Sequence, residues 1–126
     1  MRAHVVFTML FCCILIASIT IGQTKKKQTT VYGEVVDIVS YVSTGMKPDN
    51  ADRKAVAERN VKGGNPLGIL ERGTGKVYLV TMQLPNEDVN TKMLGYCGIQ
   101  IFAKGRVLRR GGIQLLMLSD IGKSVK

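Results

Sequence analysis

Histidine and cysteine are few in this sequence, and three of the four fall outside the stretch patterned to fold. The single histidine, His4, and two of the three cysteines, Cys12 and Cys13, sit in an apolar run at the amino terminus. If that run is removed on export, one thiol remains, Cys97, and no imidazole. Ser-His-Asp and Cys-His catalysis, zinc sites built on Cys and His, and disulfides within the chain are then excluded. Cys97 stands between Tyr96 and Gly98, with no helix start and no basic neighbour to lower its pKa, so an inert, at least half-buried thiol is expected. Among carboxylates, Glu34 and Asp37 are three apart in an extended run, which turns them to opposite faces unless a bulge intervenes. Glu87 and Asp88 lie in a polar loop, where helix capping accounts for them. Gly73-Thr74-Gly75-Lys76 has Leu70 where a phosphate-binding loop needs its first glycine and Val77 where it needs Ser or Thr, so a hairpin turn is expected. These residues predict no catalytic group, no metal site and no cofactor, and the chain reads as non-enzymatic.

A binding surface is better supported. Ile99, Ile101, Ala103, Gly105 and Val107 alternate with Gln100, Phe102, Lys104, Arg106 and Leu108, which is the period of a half-buried strand. Its outward side carries Phe102, Lys104 and Arg106. Arg109 and Arg110 follow at the tip, and Tyr32 on an earlier strand shares the exterior. Aromatic and basic residues interleaved on a strand face are what single-strand nucleic-acid binders use, stacking bases and neutralising phosphates. The candidate ligand-binding residues are therefore Tyr32, Phe102, Lys104, Arg106 and Arg109. A protein, peptide or other anionic ligand is favoured over nucleic acid, because the folded part carries little net charge and an exported protein seldom meets nucleic acid. The competing reading covers Phe102 with a helix at 50–61 or a terminal segment and makes it a structural contact.

Net charge is +9 over 126 residues, from 18 Lys and Arg against 9 Asp and Glu. Arg2, Lys25, Lys26, Lys27, Lys123 and Lys126 lie at the ends, leaving residues 29–122 at only +3. Residues 5–21 contain no charge, and Thr20 and Gly22 are small residues placed for cleavage after Gly22. Residues 1–22 are expected to be a secretory signal peptide and the protein to be exported, periplasmic or secreted. The alternative is an uncleaved membrane anchor over 5–21, for which the Lys25–Lys27 run would be a cytoplasmic flank. Residues 23–29 are expected to form a flexible polar tail and 123–126 a basic one.

The elements that must position the candidate face follow from pattern. Residues 31–42 (VYGEVVDIVSYV) read as a first strand with a bulge or bend at Gly33. Residues 50–61 read as a short helix capped by Asp49 or Asn50. Leu67–Leu70 and Val77–Met82 form a hairpin turning at Gly73–Gly75, and 86–94 holds a short helical turn. After the strand at 99–107, Arg109-Arg110-Gly111-Gly112 turns the chain, and Ile113, Leu115 and Met117 are expected to point inward on a fifth strand. Length and pattern predict one all-β domain over 30–122. It is a five-stranded OB-like Greek-key barrel, with a helix inserted between the first two strands and a helical turn between the third and fourth.

The strings VYGEVVD (31–37), NPLGIL (65–70), KVYLV (76–80) and YCGIQIFAKGRVLRRGGI (96–113) resemble small exported bacterial proteins with an OB-fold-like domain, over residues 30–122. Relatives of that kind often carry Cys or His after the first strand, which would imply metal or redox chemistry. Here Ser40, Thr44, Arg53, Val56 and Asn60 occupy that region, so the resemblance implies fold and export without a metal. An exported binding or scaffolding module is the leading expectation. The alternatives are a binder of single-stranded nucleic acid or anionic polymer and an accessory subunit of a cell-envelope enzyme.

Overall fold

The computed structural model describes residues 27–125. The expected leader over 1–22, and with it the anchor reading over 5–21, lies outside the described residues. Runs of β-branched and aromatic residues separated by glycine turns form five strands: β1 (Thr29–Asp37), β2 (Leu67–Glu71), β3 (Val77–Met82), β4 (Gln100–Arg110) and β5 (Ile113–Lys123). Three short helices intervene: α1 (Ile38–Thr44), α2 (Ala51–Lys62) and α3 (Val89–Leu94). The strands close in the order β1-β2-β3-β5-β4, with β4 returning to β1. All neighbours are antiparallel except β3 and β5, which run parallel. This is the OB-like barrel that the order of elements predicts, with α1 and α2 in the β1–β2 connection and α3 between β3 and β4. No helix among the described residues is long and apolar enough to cross a membrane.

The barrel interior is filled by alternate residues of each strand. Val31, Val35, Ile69, Ile101, Leu116 and Leu118 are fully buried, each contributing about 1.5–3 kcal/mol relative to exposure. Met93 of α3 and Ala57 of α2 are buried as well, and Val61 packs on the core from α2. Helix α2 therefore docks by a narrow stripe, as its sparse Ala and Val content foretells.

Four details depart from the sequence expectation. The first strand ends at Asp37, and residues 38–44 are helical although Ile, Val and Thr favour strands. The Asp37 side chain accepts from Val39 N at 3.1 Å, capping a new helix, and Gly45 in the left-handed region at φ 73° closes it. No bulge occurs at Gly33, which pairs in register with Glu71 and Ile101. A Cβ there would sit 2.0 Å from the Leu70 carbonyl oxygen, so close backbone approach explains the glycine. Arg109 and Arg110 remain in β4, opposite Gln114 and Ile113, and only Gly111-Gly112 turn the chain, at φ 56° and 78°. Finally, Leu116 and Leu118 point inward, whereas Ile113, Leu115 and Met117 lie on the outside. That reversal shapes the candidate site. At the ends, β1 begins at Thr29 and β5 finishes at Lys123.

Asp37 ties the β1–β2 connection together. Its carboxylate is 1 % exposed and accepts from Ser40 Oγ at 2.6 Å, Asn60 Nδ2 at 2.8 Å and Asn65 Nδ2 at 3.2 Å, besides the α1 backbone. One acceptor thus joins β1, α1, α2 and the entry to β2. Burial by itself would raise this carboxyl, but the bonds from Ser40, Asn60 and Asn65 outweigh it and hold it below its ordinary value.

Candidate functional site

The hairpin of β4 and β5 reaches past its neighbours and sets the exterior face. Each of these strands has eleven residues, against nine in β1 and six in β3. Pairing across Gly111-Gly112 places Arg110 opposite Ile113, Leu108 opposite Leu115 and Arg106 opposite Met117. Directly opposed residues share a face. Since Gly105 and Val107 point inward, Arg106, Leu108, Arg110, Ile113, Leu115 and Met117 are all outside. Ser119 is the extra residue where the register shifts, and its Oγ donates to the Lys104 carbonyl oxygen at 2.9 Å.

An apolar row follows across three strands. Leu79 of β3 lies beside Leu115, which lies beside Leu108. Leu79 is 37 % exposed, Leu108 41 % and Ile113 56 %. On the β2 side the row meets Gly68, which is paired with Leu79 and crowded by the Ile38 side chain of α1. At the other end, Leu108, Arg109, Arg110, Ile113 and Leu115 line a hollow of about 480 Å³. The ion pairs among the described residues are Lys47–Glu34 and Arg53–Asp49, so Arg106, Arg109 and Arg110 have no carboxylate partner there.

The residues singled out from sequence fall into two groups. Tyr32 and Phe102 are opposed on β1 and β4 and lie on the same exterior as Lys104 and Arg106. Tyr32 is half exposed. The Phe102 ring rests on Gly122 of β5, where a Cβ would come within 2.7 Å of it, so much of the ring is used as a lid over the strand. Arg106 donates from Nη2 to Met117 Sδ at 3.0 Å, which lays its guanidinium along the face. Arg109 is out of phase with them: it points to the opposite side of the hairpin and donates to Gln114 Oε1 at 3.3 Å. Leu79, Leu108, Leu115 and Ile113 were not anticipated as site residues.

The remaining candidates are committed to structure. Glu34 is bonded to Lys47 Nζ at 2.7 Å across a groove of about 360 Å³ that Tyr41, Arg72 and Gln100 also line. That hydrogen bond raises the Lys47 pKa, and the two charges answer each other rather than a ligand. Asp88 caps α3, and Gly73-Thr74-Gly75 turns the β2–β3 hairpin. Among the described residues no three His, Cys, Asp or Glu side chains gather as a metal site would need.

Cys97 is buried, and burial pushes its thiol up to about 11. At pH 8, iodoacetamide should label it at least about a hundredfold more slowly in the native chain than in urea-unfolded chain, since only the thiolate reacts. Equal rates by mass spectrometry would show that the thiol is accessible.

Strand order, the parallel β3–β5 link and the helix places define an OB-like barrel whose exterior carries an apolar row ending among free cations. No family model, no curated protein and no solved structure matches this chain.

Proposed function

We propose that this chain is an exported, non-enzymatic binding module that holds its ligand on the barrel exterior across β3, β5 and β4. The observation that carries the reading is the row Leu79–Leu115–Leu108 with Ile113. It is an exposed apolar strip across three strands, with Arg106 and Arg110 on the same face and Arg109 on the reverse of the hairpin. Apolar surface of this kind adds nothing to the core and favours association. In OB barrels the β2–β3 face and the loops joining β1–β2 and β4–β5 are where ligands settle, and the row meets that region at Leu79 on β3 and at the β4–β5 turn. Export rests on the uncharged run at 5–21 and on the small residues at its end.

Random peptides displayed on phage and selected on the full chain test this reading. The selected peptides should lose affinity by about tenfold or more for the double variant Leu108→Ser, Ile113→Ser, which corresponds to about 1.4 kcal/mol. The same variant should melt within a few degrees of the parent, because exposed substitutions change stability by about 0.5 kcal/mol. Selected peptides that bind the variant as well as the parent would move the ligand off this face. An oligothymidylate that binds more tightly than any peptide, with affinity falling steeply in salt, would favour a nucleic-acid ligand stacked along Tyr32, Phe102 and Lys104.

A further inference from the structure

The apolar row ends at an open strand edge. β1 pairs with β4 from Glu34–Gln100 down to Thr29–Gly105, and Lys27 and Gln28 precede the strand without joining it. Beyond Gly105, residues Arg106–Arg110 pair with β5 on one side and with no strand on the other among the described residues. Alternate residues of such a segment turn an N–H and a C=O outward, ready for a further strand.

We propose that this edge, Arg106–Arg110, takes an extended acidic peptide as an added antiparallel strand. The inference rests on the binding reading above and names the ligand's chemistry. Charge complementarity selects the occupant. Read antiparallel to β4, the incoming residues face Arg110, Arg109, Leu108, Val107 and Arg106 in that order. Side chains directly opposite one another on paired strands lie within contact distance, so each cation calls for a carboxylate and each apolar residue for an apolar one. The complementary segment is acidic-acidic-apolar-apolar-acidic. Its third residue prolongs the row Leu79–Leu115–Leu108 by one more side chain. Main-chain bonds supply register-independent affinity, and the two apolar and three basic neighbours supply the choice of sequence.

Two other occupants are disfavoured by the same charges. Extending β1 backwards in its own register through Gln28 would bring Lys27 opposite Val107, a lysine on an apolar residue. A second copy pairing antiparallel about Leu108 would set Arg106 of each copy against Arg110 of the other, as in natural edge strands kept apart by charge.

Fluorescence anisotropy on the full chain tests the proposal with a fluorescein-labelled peptide containing Glu-Glu-Leu-Val-Glu between glycines. The peptide should bind, and should lose about tenfold or more in affinity to Arg109→Glu, Arg110→Glu. A Lys-Lys-Leu-Val-Lys peptide should show the reverse preference between the two proteins. Methylating alternate backbone nitrogens of the acidic peptide should abolish binding in one of the two phases, because those N–H groups make the strand. If both methylated forms bind undiminished while Leu108→Ser, Ile113→Ser still weakens binding, strand addition is wrong and the binding face stands. If neither the charge reversal nor the leucine and isoleucine changes matter, both readings fail. Concentration-dependent dimerisation of the chain alone, abolished by Leu108→Pro and unaffected by the peptide, would assign the edge to a second copy and overturn the proposal.

Discussion

Replacing Asp37 by alanine is expected to cost the barrel about 3–5 kcal/mol. The change removes the cap of α1, worth roughly 1 kcal/mol, and the acceptor shared by Ser40 Oγ and the Asn60 and Asn65 amides around it. Hydrogen bonds to a charged group each contribute about 1.5–3 kcal/mol, and buried donors left without a partner cost about 1–3 kcal/mol more. Urea denaturation at pH 7 measures the loss; a change under about 1 kcal/mol would mean that water replaces the carboxylate. Acidity offers an independent check. The folded pKa of Asp37 lies below the ordinary 3.8, so its contribution is fully present above that value and is lost as the pH falls from there through the folded pKa. The parent should therefore lose stability faster than Asp37→Ala below about pH 4, and the two acid profiles should converge.

Gly105→Val should be as damaging, for a steric reason. Gly105 faces the barrel interior at the one register shift of the β4–β5 ladder. A Cβ on it would stand 2.2 Å from the Met117 carbonyl oxygen and 3.1 Å from Leu116 Cδ1. The first of these is backbone and cannot swing aside. Overpacking in cores costs about 1–3 kcal/mol where side chains can adjust, so roughly 3 kcal/mol or more is expected where they cannot. For a domain of this size that is a fall of more than about 10 °C in melting temperature. A valine variant melting within about 3 °C of the parent would show that β4 and β5 separate at this point without penalty.

Both strengths and failures of the sequence reading have physical causes. β4 was legible because only one of its faces is apolar, so the period of two from Ile99 to Val107 fixes which side meets the core. β5 was not, because Leu115-Leu116-Met117-Leu118 is apolar on both faces and alternation cannot choose between them. The missing constraint was in the sequence nonetheless. A two-residue Gly-Gly turn forces Arg110 opposite Ile113, and the known phase of β4 then puts Leu115 and Met117 outside. The same counting keeps Arg109 in β4, opposite Gln114, and out of the turn. α1 was hidden differently: Ile38-Val39-Ser40-Tyr41-Val42 has strand propensity, and one capping carboxylate with a left-handed glycine overrides it. The face of Tyr32, Phe102, Lys104 and Arg106 needed only β4 and β1, so it could be read directly. The apolar row needed pairing across β3, β5 and β4, which local pattern does not encode.

The central claim is that ligand is held along the exterior of β4 and β5 and completes the sheet at the β4 edge. Amide hydrogen exchange of the full chain, with and without saturating Glu-Glu-Leu-Val-Glu peptide, tests it most directly. Slowed exchange should be confined to alternate amides within Arg106–Arg110, with the barrel strands unchanged. Protection appearing instead around Glu34, Tyr41 and Lys47, or a uniform slowing with no focus on β4, would contradict the account.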